Sequence, residues 1–446
     1  MNSFVQFLAT NPVCLSIIVI TVFSLSKLSV PLSLIIGAVT AGLVGGMSLE
    51  HTLDAFLGGI SGGVNVALSY ALLGMFATGL TATGLPEFLA SKIAHSSDSR
   101  SLRAELCRAM LFIWLCGIAS QTIIPIHIAF IPIIIPAFLP LFNGANLDRR
   151  SIACLITFGL VATYSFLPFG FGEIFLREIV LENLKSQGVN LILSDFSIMK
   201  LTAIPTAGMV FGLALALWVS YRKPRYYEKI QVAVAQERVV SKRVLIFGLL
   251  AIVVMLAMQI AFKSMIVGAL SGFFILLISG TVKWKDSDKI VTQGFGMMAT
   301  IGMIMIIASG FSAVLSSTGA VNDLVNMLLI VTANNVHLTV VVMLVVGLII
   351  TLGIGSSFST VPILAAIFVP ICQRMGFSPE GIFLVLMVAG VVGDAGSVVS
   401  DSTLGTTIGL NADGQHDHFR DSVVPTFLHF NIPQLIFGYA AIILFA

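Results

Sequence analysis

The chain has 446 residues, of which 57% are hydrophobic and only 10% are charged, and its formal net charge is +2. A soluble domain carries about 25% charged residues, so this composition excludes a soluble globular fold and offers no charged surface for nucleic acid. The mean hydropathy of +1.04 comes from continuous apolar runs of ~20 residues rather than alternating runs of ~10, which excludes a β-barrel and points to an all-α polytopic membrane protein.

Apolar stretches long enough to span a bilayer are predicted near residues 11–26, 30–48, 63–83, 104–120, 151–170, 200–221, 243–262, 264–282, 297–318, 336–354, 380–400 and 424–446. No Lys or Arg precedes the first, which argues against a cleaved signal peptide. Two further segments, 121–142 and 355–373, are apolar but interrupted by proline, glycine and hydroxyl residues. They read as re-entrant hairpins or broken helices, which survive at membrane depth only where they are buried in protein or line a cavity. The expected fold is therefore about 11–12 transmembrane helices plus two re-entrant segments. Five cysteines (Cys14, Cys107, Cys116, Cys154 and Cys372) show no CxxC spacing, so no disulfide framework or metal site is expected.

An internal repeat emerges at an offset of 235 residues, where Gly37 meets Gly272, Gly45 meets Gly280, Gly59 meets Gly294, and Thr83-Gly84 meets Thr318-Gly319. The charges invert between the halves. Glu50, His51 and Asp54 correspond to Lys283, Lys285 and Lys289, whereas Lys92, Arg100, Arg103 and Arg108 correspond to a connection carrying only Asp323. Under the positive-inside rule the two halves insert in opposite orientations. The expected organisation is an N-terminal helix over 1–30, a first repeat over 31–221, a basic cytoplasmic linker over 222–243 and an inverted second repeat over 244–446. Inverted repeats with one broken segment each are a recurring plan of secondary transporters, with the site near the midplane.

Four segments could carry chemistry. In the first half, Ser120-Gln121-Thr122 leads into Pro125, His127, Pro132 and Pro136, a run that cannot form one straight helix. Gln121 and Thr122 offer neutral ligands, and His127 is either a proton relay or a packing residue. Further on, Tyr164 to Glu173 contains Pro168, Gly170 and Gly172 and corresponds to the acidic run of the second half; Glu173 is either interfacial or functional. In the second half, Gly353 to Pro362 holds Ser356, Ser357, Ser359 and Thr360. Freed backbone groups and hydroxyls there either replace the hydration shell of Na⁺ or hold an organic carboxylate, or else cap a helix.

The acidic run Gly393-Asp394-Ala395-Gly396-Ser397-Val398-Val399-Ser400-Asp401-Ser402-Thr403 is the most informative. Carboxylates at membrane depth mark ion or substrate paths. If the run is helical, Asp394, Ser397 and Asp401 share a face with Ser400 beside them, and the two carboxylates make a site where Na⁺ and H⁺ compete. Asp401 alternatively caps the next element. The stretch His416-Asp417-His418 lacks a third ligand and reads as a solvated loop. Nothing resembles a nucleophile with its base or an HExxH triad, so no enzyme is expected, and paired broken helices suit alternating access better than an open pore.

The run GD-x-x-S-x-x-SDST from Gly393 to Thr403 resembles the GD-x-x-SP-x-SDTT signature of NhaC-type sodium/proton antiporters in the ion-transporter superfamily. The hydroxyl-rich segment 353–362, the Thr83-Gly84 turn and the Pro125/Pro132 segment extend the resemblance to the shorter branch, which includes histidine-permease-like carriers. Val398 stands where that family has Pro, and Ala395 where it often has Lys. The resemblance implies inverted helical repeats, two re-entrant segments, alternating access in a possible homodimer, and roles for Asp394, Ser397, Ser400 and Asp401 at the site, with Ser402 and Thr403 beside them. The expected function is a secondary carrier of the bacterial inner membrane, exchanging Na⁺ for H⁺ with no cofactor beyond the coupling ion; the alternative is a Na⁺- or H⁺-coupled amino-acid permease. Its partners are the lipid bilayer and a small ion or substrate.

Overall fold

A computed structural model describes residues 10–26, 28–85, 88, 102–122, 127–228, 240–262, 264–332, 334–398 and 400–446. The described residues are helical, with no strand among them. Eight helices, counted among the described residues, are long and apolar enough to cross a membrane, and the bent pair Arg149–Phe166 and Phe171–Ser186 makes a ninth. Shorter apolar helices, including Met265–Ile278, lie beside them. Every predicted apolar stretch falls on a helix, but the one expected over 380–400 stops at Val391.

Each half repeats one order of elements. Pro12–Leu25 and Val30–Val44 have counterparts in Lys242–Phe262 and Met265–Ile278, and Ser61–Ala82 in Ser287–Thr318. A helical hairpin follows in each: Leu102–Thr122 with His127–Gly144, and Val336–Ile354 with Ser357–Arg374. Then comes a broken helix, Arg149–Phe166 with Phe171–Ser186, and Pro379–Val391 with Asp401–Leu410. The repeated Thr-Gly dipeptides close matching turns. Thr83 Oγ1 donates to Leu80 O at 2.6 Å and accepts from Leu85 N, as Thr318 Oγ1 donates to Leu315 O at 2.7 Å and accepts from Ala320 N. Gly84 and Gly319 both take positive φ, +76° and +68°.

The equivalent helices Ser61–Ala82 and Ser287–Thr318 cross in opposite directions at the centre. A Cβ on Gly63 would meet Met305 O at 2.4 Å, and one on Gly74 would meet Gly294 O at 2.4 Å. Contacts that rise along one helix while falling along the other mean antiparallel packing. Only an axis perpendicular to both relates such a pair, so the repeats are inverted. Glycine at these crossings lets the backbones touch, which drives helix association where no hydrophobic force acts between apolar helices.

The linker defines one face of the protein. Arg225 N donates to Asn146 O, and Tyr227 Oη accepts from Arg149 N at 3.1 Å, so the ends of the first hairpin and the start of the first broken helix lie there. Helices leaving the linker face end opposite, where Gln373 Nε2 donates to Gln187 O and Ser378 Oγ to Phe445 O. The first hairpin therefore opens toward the linker face and the second toward the far face. The prolines of the first hairpin do not stop its second arm: His127–Gly144 winds through Pro132, Pro136 and Pro140, and Ser357–Arg374 winds through Pro362 and Pro370. Residues 229–239 of the linker lie outside the described residues.

Candidate functional site

Both broken helices are interrupted by a glycine that no L-residue replaces cheaply. Gly170 has φ +63° and Gly393 φ +107°, conformations natural only to glycine. Close approach adds a second reason. A Cβ on Gly170 would lie 2.5 Å from Gln121 O, and one on Gly393 would lie 3.0 Å from Leu348 O and from Thr351 Cβ. Each break is thus pressed against the hairpin of its own repeat, and the four interruptions meet.

The acidic run is not helical, which corrects the expected shared face. After Gly393 a single tight turn, Asp394–Gly396, gives way to extended backbone at Ser397 and Ser400, and helix resumes only at Asp401. Three glycines and a valine pair within eight residues favour this unwinding. The hydroxyls hold the unwound strand. Ser397 Oγ donates to Leu352 O at 2.8 Å, Thr403 Oγ1 donates to Ser397 O at 2.5 Å, and Ser400 Oγ caps Ser402 N at 3.1 Å. Ser402 Oγ donates to Asp394 O at 3.3 Å. Ser397, Ser400 and Thr403 thus position the break, and Ser400 also supports the Asp394 carboxylate.

Asp394 is buried and joined across the inverted halves. Its Oδ2 accepts from Tyr164 Oη, at the first broken helix, and from Ser357 Oγ at 3.0 Å, at the start of the second hairpin arm. Tyr164 Oη and Ser357 Oγ are themselves 2.7 Å apart. Beside this triad lies a cavity of 50 Å³ whose polar lining is Tyr70, Gln121, Tyr164, Ser356, Asp394, Asp401 and Ser402. Asp401 is exposed to it. Leu160, Val161, Phe171 and Phe358 complete the wall. Among the described residues no Lys, Arg or His lines it, so none of them offers its two carboxylates a fixed counter-charge. The space admits about three waters or one partly hydrated Na⁺.

Of the other predicted residues, Thr360 Oγ1 donates to Ser356 O and Thr122 Oγ1 to Ile118 O, both at 2.9 Å, so both serve the backbone. Ser359 is fully buried and its hydroxyl has no partner among the described residues. The side chain of His127 and residues 123–126, Pro125 included, lie outside the described residues. Tyr164 and Tyr70 were not singled out. Tyr164 had a signal: it falls in the segment recognised as the counterpart of the acidic run.

The His416-Asp417-His418 stretch corrects another expectation in part: Asp417 is exposed, as a solvated loop requires, but His416 is not. His416 is 2% exposed, its Nε2 lies 2.9 Å from Ser422 Oγ, and His418 Nε2 lies 2.9 Å from Val398 O in the break. Burial pushes the His416 imidazole down to about 4. The loop is pinned by Arg149, which is fully buried and donates to Asp413 Oδ1 at 2.7 Å, to Leu410 O at 2.8 Å and to Asn143 Oδ1 at 2.8 Å. Burial pushes the Asp413 carboxyl up, but the hydrogen bond and charge of Arg149 outweigh it and hold the group below the usual carboxylate range.

The same architecture occurs in two solved transporters. The YdaH transporter of Alcanivorax borkumensis superposes with a TM-score of 0.62 at 14% identity, covering 88% of each chain. Neisseria gonorrhoeae MtrF, described among antimetabolite efflux pumps, gives 0.60 at 15% identity over 88% of this chain and 83% of its own. At such identity the likeness shows the fold alone. An uncharacterized membrane protein of Vibrio parahaemolyticus is 46% identical, over 97% of this chain and 99% of its own length. Bacillus subtilis "Putative amino acid transporter YuiF" is 44% identical over 89% of this chain and 91% of its own. Two models described as Na⁺/H⁺ antiporter families match residues 155–440 and 11–96. Broken helices meeting at a buried aspartate, on an inverted membrane fold whose greater part matches that model, make this chain a secondary transporter belonging to the Na⁺/H⁺ antiporter family.

Proposed function

We propose that the protein exchanges Na⁺ for H⁺ across the bacterial cytoplasmic membrane at the cavity shared by Asp394 and Asp401. The observation that carries this reading is the lining: among the described residues, two carboxylates with neutral polar groups around 50 Å³. Two like charges in a desolvated pocket are not both kept ionised without a counter-charge. Protons on the carboxylates or a Na⁺ between them meet that need, and the two solutions exclude each other. The hairpins opening to opposite faces would admit the cavity to one side at a time, with the linker face cytoplasmic as its basic residues direct.

The test is pH-gradient dissipation in everted membrane vesicles. Na⁺ added without any amino acid should collapse an imposed gradient in vesicles containing the protein and not in vesicles lacking it. Absence of that signal overturns exchange.

A second reading, amino-acid transport coupled to the same cation, has a specific support besides the name of the Bacillus subtilis relative. The helix Ser357–Arg374 begins at the cavity beside Gln121 with no side-chain cap from Ser356, and an uncapped helix N-terminus suits a carboxylate. Gradient-driven uptake of a labelled amino acid would favour this reading over simple exchange.

A further inference from the structure

The geometry points to a second cation site, outside the central cavity, formed by Glu173, Glu178, Gln259 and Ser69 at a vestibule of 540 Å³ toward the far face. The vestibule lies between the second half of the first broken helix and the far-face ends of Asp195–Leu215 and Lys242–Phe262.

The winding of the broken helix builds the site. Residues five apart on an α-helix point about 140° away from each other. Here Ile174–Leu181 is wound as a π-helix for eight residues, and hydrogen bonds spanning five residues bring Glu178 round to the side of Glu173. The two carboxylates are close enough to repel. Such long π segments are rare, and shorter ones concentrate at functional sites.

The oxygens around this pair lack donors. Gln259 is 3% exposed, and its Nε2 donates to Glu173 Oε2 at 2.7 Å. A carboxylate only accepts, so that bond fixes the amide and leaves Gln259 Oε1, which has no partner among the described residues, with the vestibule. Glu178 Oε2 and the hydroxyl of Ser69, buried beside Glu178, have at most each other as hydrogen-bond partners among the described residues. An unpaired buried acceptor is costly, and one cation bound among these oxygens offsets that cost for all of them. Arg177 does not serve, because its guanidinium is engaged by Asp195 and by Leu193 O at 3.1 Å. Among the described residues no group of three or more His, Cys, Asp and Glu that could hold a metal ion occurs. Two carboxylates with amide and hydroxyl oxygens suit an alkali cation.

Rings close the vestibule from the central cavity. Tyr70, whose neighbour in sequence is Ser69, packs against Phe171 at 5.3 Å and Phe358 at 5.7 Å between ring centroids. All three line the central cavity. A cation held at Glu178 would be partly dehydrated one ring-layer away from Asp394.

The inference does not depend on exchange at Asp394, and equilibrium binding of radioactive Na⁺ to the purified full-length protein separates the two. The Asp394→Asn protein should retain one saturable site, and adding Glu178→Gln should weaken that remaining site at least tenfold. Gln259→Leu, which keeps the side-chain volume and all charges, should weaken it as well, with size-exclusion profiles unchanged. Loss of all binding in Asp394→Asn overturns the outer site. Undiminished binding in both Glu178→Gln and Gln259→Leu overturns it too. Full wild-type capacity in Asp394→Asn would instead count against the central site.

Discussion

Replacing Arg149 by Met removes the buried charge that ties the first hairpin, the first broken helix and the loop after the second broken helix to one another. Arg149 and Asp413 have side chains 0% exposed, so the attraction is not screened by water. The substitution deletes three hydrogen bonds and the shortest contact, to Asp413 Oδ2. Asp413 is left with Asn143 Nδ2 at 3.3 Å and two donors from Gln415. Breaking a buried pair from one side costs about 3–5 kcal/mol; because these neutral donors remain, the lower end, about 3 kcal/mol, is expected. Apparent melting of the purified protein in detergent should fall by about 6–12 °C, at the 2–4 °C per kcal/mol of mid-sized domains. The double variant Arg149→Met with Asp413→Leu should recover most of that loss, since an apolar pair of similar volume replaces the ion pair. A drop under 1 °C in Arg149→Met, or a double variant losing the sum of both singles, refutes the reasoning.

Further tests address the interface, the loop and the site. Gly294→Ala should strongly impair assembly because its Cβ would stand 2.4 Å from Met75 Cα, whereas Gly296→Ala, with nothing within 4 Å, should be neutral or stabilising; equal thermal stability of the two refutes the glycine crossing. Acid should weaken the His416 loop. Its imidazole titrates at about 4 in the fold against 6.5 in the open chain, so only the open chain binds the proton between those values, and stability falls by about 3 kcal/mol as pH drops through that window. Asp413, held low, adds its loss only at still lower pH. In His416→Gln the slope between pH 6.5 and 4.5 should flatten, and an unchanged slope removes His416 from the effect. Under the exchange reading, Tyr164→Phe removes one donor to the charged Asp394, a bond worth about 1.5–3 kcal/mol. Half-maximal exchange should then need at least about tenfold more Na⁺, and an unaltered requirement contradicts a role for the hydroxyl.

The architecture was legible because membrane helices announce themselves by length, and because the Thr-Gly turns and the charge inversion mark the repeat. The site was legible in part. Asp394, Asp401, Ser356 and Gln121 line one cavity, as their residue types suggested, but the shared helical face did not form: the glycines at 393 and 396 unwound the run. Nothing in the sequence told which hydroxyls would serve the backbone, since Ser397 and Thr403 look no different from Ser357 until the break is folded. Tyr164 escaped notice because a tyrosine on an apolar helix usually packs; its role depends on a partner 230 residues away. His416 was misread because its burial is created by Arg149 and Ser422, neither of which local composition reveals.

Flux through Asp394→Asn protein reconstituted in proteoliposomes tests the central claim most directly. With Asp401, Tyr164 and the fold untouched, Na⁺-driven proton movement should be lost while the variant stays monodisperse and melts within a few degrees of the wild type. Exchange at near wild-type rates in that variant would contradict the account.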